Sequence, residues 1–189
     1  MYRPYPVRFV LSAIALAASS ILLSAAPPKV GDKGPDFSLQ TLDSKTITLS
    51  TLTSNSPVVL LVLRGWPGYQ CPLCTAQVGD YISSAAAFEK AGARVIMVYP
   101  GPADNLKAHA GEFVNTKNWP EKFLLVTDPD FKMINSYDLR WNAPGETSYP
   151  STFILDRKGV VRFAKISHTH GDRTKAADIL AKLKESDPK

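Results

Sequence analysis

The strongest constraint on the fold is a change of character at residue 64. Val58–Leu63 reads VVLLVL, a continuous apolar run rich in β-branched residues. A strand covered on both faces has this composition. The run breaks into Arg64-Gly-Trp-Pro-Gly-Tyr-Gln70, and Cys71-Pro72-Leu73-Cys74 then opens a helical pattern. Val78, Tyr81, Ile82, Ala85 and Phe88 repeat at helical spacing, which predicts one helix over Pro72–Ala91 ended by Gly92. A buried strand feeding a helix is the first half of a parallel α/β unit. Such units place their chemistry outside the carboxyl ends of the strands. The loop carrying both cysteines of the chain lies at such an end.

The rest of the chain keeps the alternation. Phe37–Thr41 and Thr46–Leu49 flank Asp43-Ser44 and predict a hairpin. Strands are expected at Arg94–Tyr99 and Phe123–Thr127, with helices over Ala103–Thr116 and Pro129–Tyr137. Ser151–Leu155 and Val160–Ile166 flank Asp156-Arg-Lys-Gly159 and read as a second hairpin. Asp172–Lys184 reads as a closing amphipathic helix. The expected fold class is α/β: a central mixed sheet flanked by helices, with an N-terminal β-hairpin extension. One domain is expected over residues 30–186.

Residues 1–26 read differently. Arg3 and Arg8 precede Phe9–Leu23, fifteen residues without a charge, and Ser24-Ala-Ala26 follows before Pro27-Pro28. This is the order of a secretory signal, and the apolar run is shorter than the roughly 20 residues of a spanning helix. Residues 1–26 are therefore expected to be a signal peptide, or an N-terminal anchor if uncleaved, and the chain to be exported to a periplasmic or other extracytoplasmic space. Membrane contact is expected only in the uncleaved case. The formal charge of +5 falls to 20 basic against 17 acidic side chains, or +3, once Arg3 and Arg8 leave. No long basic block remains, so no nucleic-acid partner is expected.

Cys71 and Cys74 carry the chemistry. Pro72 suits the first helical position, where its missing N–H costs nothing. That sets Cys71 at the cap and Cys74 in the first turn. The unpaired N–H groups and the dipole of a helix start favour a thiolate and lower a thiol from its free value of about 8.5. The spacing also suits the Cα separation of roughly 4.4–6.8 Å that a disulfide needs. A structural disulfide would close too small a loop to stabilise much. A metal site would need more ligands than this pair, with His168 and His170 as the available additions. A redox pair is the expectation, with no metal and no cofactor.

The segment from Lys29 to Lys184 resembles the thioredoxin-like redoxins of the alkyl hydroperoxide reductase/thiol-specific antioxidant (AhpC/TSA, peroxiredoxin) family. Val30-Gly-Asp-Lys-Gly-Pro-Asp-Phe-Ser-Leu39 is similar to the family's entry motif. Pro67-x-x-x-Cys71-x-x-Cys74 overlays its Pro-x-x-x-Thr/Ser-x-x-Cys pattern, and Ser151-Thr-Phe-Ile-Leu-Asp156 its late strand. The resemblance implies Cys74 as the peroxidatic cysteine, with Cys71 in place of the hydroxyl residue. Two departures stand out. The arginine that the family places three residues before the late phenylalanine is Pro150 here, and Tyr149-Pro150-Ser151 resembles the cis-proline loop of thioredoxins. Gln70, where thioredoxins have Trp, departs from that second pattern.

The resulting expectation is an exported thiol peroxidase. Cys74 attacks a peroxide, Cys71 resolves the sulfenic acid as a disulfide, and an external thiol or thioredoxin-like reductant restores the pair. Pro67, Arg64, Tyr149 and Pro150 are expected around the pocket, and His168 and His170 as candidates for proton transfer. A thiol-disulfide oxidoreductase is the alternative, with Cys71 attacking first. A copper-binding chaperone is a third reading, since thiolates select copper(I). Trp66 and Tyr69 read as pocket wall or core, His109 as a surface residue, and Trp119, Trp141, Met97 and Met133 as packing.

Overall fold

The computed structural model describes residues 26–186; residues 1–25 of the expected signal segment lie outside them. Seven strands and six helices follow in the order β1 (Ser38–Thr41), β2 (Thr46–Thr48), α1 (Leu49–Thr53), β3 (Val58–Val62), α2 (Pro72–Ser83), α3 (Ala85–Lys90), β4 (Arg94–Gly101), α4 (Leu106–Asn115), β5 (Phe123–Pro129), α5 (Lys132–Ser136), β6 (Ser151–Leu155), β7 (Val161–Ile166) and α6 (Ala176–Ser186). They form one mixed sheet in the order β2-β1-β5-β4-β3-β6-β7. β3, β4 and β5 are parallel, and β6 and β7 extend the β3 side antiparallel. The expected N-terminal hairpin is β1–β2, which joins the sheet antiparallel to β5.

The uninterrupted apolar run becomes the centre of this sheet. All five residues of β3 are buried, because helices cover both faces. Val59 and Leu61 face one core with Val78, Tyr81, Phe88 and Ile179, and both cysteines belong to that core. Val58, Leu60 and Val62 face a second core with Phe37, Ile134, Tyr137 and Phe153. Phe88 is fully buried between Tyr81 and Phe123, so truncating it to alanine removes about 3–5 kcal/mol.

The helices differ from the sequence reading at several points, α5 and α6 among them, which begin at Lys132 and Ala176 rather than Pro129 and Asp172. The single helix expected over Pro72–Ala91 is two helices broken at Ser84. Just before the break, the Ser83 hydroxyl donates to the Gly79 carbonyl, a side-chain bond that bends helices. The α4 helix begins at Leu106 rather than Ala103, because Asn105 caps it in a left-handed conformation (φ 57°). Leu49–Thr53, read as the end of a strand and a loop, makes the short α1. Among the described residues no helix is long and apolar enough to cross a membrane.

Candidate active site

The site forms where β3 gives way to α2. Past the strand end, Gly65 must adopt positive φ (64°) because the chain presses on β4: a Cβ there would lie 1.9 Å from the Pro100 carbonyl oxygen. Trp66 donates its amide to that same carbonyl. Its indole then stacks on His109 at 3.6 Å and 6°, so His109 packs against the cysteine loop instead of lying free on the surface. Gln70 pins the far end of the loop. Its amide nitrogen donates to the His109 carbonyl, and its oxygen accepts from the Tyr99 hydroxyl. Gln70 therefore has a structural use in place of the thioredoxin tryptophan. Pro67 is half-buried midway along the loop.

Cys71 caps α2 and Pro72 takes the first helical position, as the sequence predicts. The Cys74 amide donates to Cys71 Sγ at 3.4 Å. Both cysteines are buried free thiols, unbonded to each other. Leu73 and Tyr69 are exposed large hydrophobic side chains near them in sequence.

The arginine that faces the sulfurs is Arg173, which the sequence reading did not single out. It lies in the loop joining β7 to α6. Nη1 donates to Cys74 Sγ at 3.5 Å and Nη2 to Cys71 Sγ at 3.8 Å. Nη1 also donates to Gln77 Oε1 at 3.0 Å, and Nε to the His170 carbonyl at 2.8 Å. Gln77 is held in turn, because its amide nitrogen donates to the Thr174 carbonyl. The Thr174 hydroxyl bonds those of Tyr81 and Thr152. The one available signal was positional. Gln77 follows Cys74 by three residues on the same helix face, and Arg173 follows His168 and His170 closely in the chain.

Arg64 is buried, and its described hydrogen bonds run to partners other than the sulfurs. Its Nε donates to Glu146 Oε2 at 2.6 Å, Nη1 to the Tyr69 hydroxyl at 2.5 Å and Nη2 to the Gly145 carbonyl at 2.8 Å. These partners raise its pKa despite the opposing cost of burial. Glu146 also pairs with His170 Nε2 at 2.9 Å. The His170 ring lies against Trp141, which stacks on Tyr149, whose ring meets His168 edge-on. Trp141 therefore packs at the rim of the site rather than in the core. Pro150 is buried, lining a small crevice with Gln77, Thr152 and Arg173. No peptide bond among the described residues is cis, so the Tyr149–Pro150 bond differs from the thioredoxin pattern. The structure thus links Arg64 to His170 through Glu146, joins His170 to Tyr149 and His168 through Trp141, and sets Pro150 beside Arg173, the residue whose head donates to both sulfurs. The described hydrogen bonds of His170 run to Glu146 and Arg173, not to sulfur.

The two thiols share one readily lost proton. Cys71 is lowered to about 5, first by the hydrogen bond from the Cys74 thiol, against the opposing cost of burial, and then by the Cys74 amide, the charge of Arg173 and a side-chain interaction with Arg64. Cys74 is pushed well up by burial and by its neighbour, since a second charge would sit beside the first. At neutral pH the pair carries one negative charge, facing a guanidinium at a helix start. A buried thiolate of this kind is a poised nucleophile.

Comparison with known proteins agrees with this geometry. The family model described as AhpC/TSA matches residues 30–164. The chain is 31% identical over 163 residues to chloroplastic peroxiredoxin Q of Triticum aestivum, covering 83% of this chain and 70% of the relative. Against peroxiredoxin Bcp of Bacillus subtilis it is 28% identical over 137 residues, covering 69% of this chain and 80% of the relative. Among solved structures, peroxidoxin BcpB of Mycobacterium tuberculosis superposes with a TM-score of 0.66 at 22% identity, over 85% of this chain and 99% of that one. A peroxiredoxin-like protein of Aquifex aeolicus gives a TM-score of 0.69 at 18% identity, over 87% and 91%. These two share the fold. Sequence match and site geometry together place the chain in the AhpC/TSA family of thioredoxin-like redoxins, the peroxiredoxins.

Proposed function

We propose that the chain is a thiol-dependent peroxidase in which Cys74 and Cys71 act as one redox pair. The observation that carries this reading is a pair of buried free thiols, both within reach of the Arg173 guanidinium. The Cys74 proton passes to Cys71 along the hydrogen bond between them. Cys74 sulfur then attacks the terminal peroxide oxygen: an S–O bond forms, the O–O bond breaks, and the alkoxide leaves as an alcohol with a proton from solvent. Arg173 faces the position where that charge develops. Cys71 sulfur next displaces hydroxide from the Cys74 sulfenic acid. The S–S bond forms, the S–O bond breaks, and the Cys71 proton leaves in water. An external dithiol returns two electrons and two protons.

Placing the first attack at Cys74 follows the family overlay, in which residue 71 is a hydroxyl residue. Cys71→Ser restores that pattern, so this variant reacts once with peroxide and stops at the sulfenic acid. Cys74→Ser does not react. Stopped-flow oxidation of both variants with hydrogen peroxide and an organic hydroperoxide is the test. Oxidation of Cys74 no faster than a free thiol contradicts the proposal. One observation favours a second reading, a thiol-disulfide oxidoreductase led by Cys71: that residue sits at the cap of α2, where its thiol is lowered. Reduction of a protein disulfide by wild type and by Cys74→Ser, with Cys71 trapped as a mixed disulfide, would support it. The N-terminal charge-apolar-small pattern also leads us to propose an exported, extracytoplasmic protein, testable by fractionation and N-terminal sequencing.

A further inference from the structure

Arg173 could hold the two sulfurs only if something holds Arg173. Its Nε is fixed by the carbonyl of His170, so the place of its head depends on the place of that residue. The His170 side chain is half exposed, and its polar anchor is Glu146. Glu146 is itself nearly buried, with each carboxylate oxygen committed: Oε2 to Arg64 and Oε1 to His170. Its backbone is tied down as well. Its carbonyl accepts from Arg140 and its amide donates to Ala143. The adjacent Thr147 and Ser148 hydroxyls donate to the carbonyls of Arg64 and Leu63 at the end of β3. Three loops, residues 64–70, 140–149 and 167–174, are thus joined by one carboxylate. Glu146 is not among the largest influences on either thiol.

The geometry points to Glu146 as a positioning residue, which holds the Arg173 guanidinium on Cys71 and Cys74 by anchoring His170. The role rests on the redox reading only where peroxide turnover is measured. The geometry of the thiolate clamp is readable without peroxide. Direction separates this role from a plain ion pair. Removing an anion near a thiolate lowers the pH at which the thiolate forms. Releasing Arg173 raises it.

The test uses the reduced full chain and the pH dependence of its alkylation by iodoacetamide. Glu146→Gln and His170→Ala should each move the midpoint upward by roughly one pH unit. Their double variant should move it no further, because both cut the same link. Peroxide reaction should slow by roughly ten- to a hundredfold in each single variant, again without addition. Glu146→Asp should recover part of both effects. An unchanged or lowered midpoint in Glu146→Gln overturns the proposal, as do additive effects in the double variant. If Glu146→Gln does not fold, His170→Ala decides alone, since its ring is half exposed. An unchanged midpoint there is equally fatal. A wild type inert to peroxide refutes the peroxidase reading while leaving the alkylation result to judge Glu146.

Discussion

Two arginines bracket the cysteine pair, and they do different work. Arg64 rises from the end of the buried strand into a closed ring of acceptors, one of them the carboxylate of Glu146. Arg173 comes from the loop before α6 and, among the described residues, donates to neutral partners, a carbonyl and an amide oxygen, besides the two sulfurs. A guanidinium already neutralised by a carboxylate has little field left for a nearby thiolate. One without a carboxylate keeps its field for the sulfur. Strand position alone points to Arg64 and passes over Arg173.

The contrast breaks first at Arg173. Arg173→Met should slow the reaction with peroxide by roughly a hundredfold or more, the usual cost of losing a donor aimed at developing charge. It should leave thermal stability close to wild type. Arg64→Met should do the opposite. It strands a nearly buried carboxylate, so unfolding in urea should show a loss of about 3 kcal/mol, with a smaller effect on thiol reactivity.

Titration sharpens the comparison further. Cys71 sits at about 5, below its ordinary value, so the reactive thiolate is present throughout neutral pH and is lost as pH falls through about 5. The alkylation rate should therefore hold level from neutral pH down to mild acidity and halve near that point. In Arg173→Met the midpoint should rise, and in Arg64→Met it should rise less. Gln77→Ala frees one edge of the Arg173 head, and a fall in peroxide rate of roughly tenfold is expected. Tyr69→Phe removes one neutral partner of Arg64 and should cost under about 1 kcal/mol in unfolding measurements.

The same contrast explains what could be read from the sequence. The β3 strand, the loop after it and the cap at Cys71-Pro72 are local features, so periodicity and proline position marked them out. The two hairpins were legible for the same reason. Arg173 reaches the sulfurs across 99 and 102 residues of chain. Glu146 reaches Arg64 across 82. Nothing in the spacing of residues along a sequence reports which late loop folds back over an early helix. The break at Ser84 was missed for a different reason. Apolar spacing continued through it, while a hydroxyl bonding back to the Gly79 carbonyl altered the path.

The most direct measurement is to add one equivalent of hydrogen peroxide to the reduced protein and to Cys71→Ser, then locate the oxidised sulfur by mass spectrometry with a sulfenic-acid trap. The account predicts that wild type loses both thiols together as a Cys71–Cys74 disulfide, far faster than a free thiol oxidises. It also predicts that Cys71→Ser stops as a trapped sulfenic acid on Cys74. Thiols that survive, or that oxidise only at the free-thiol rate, would contradict it.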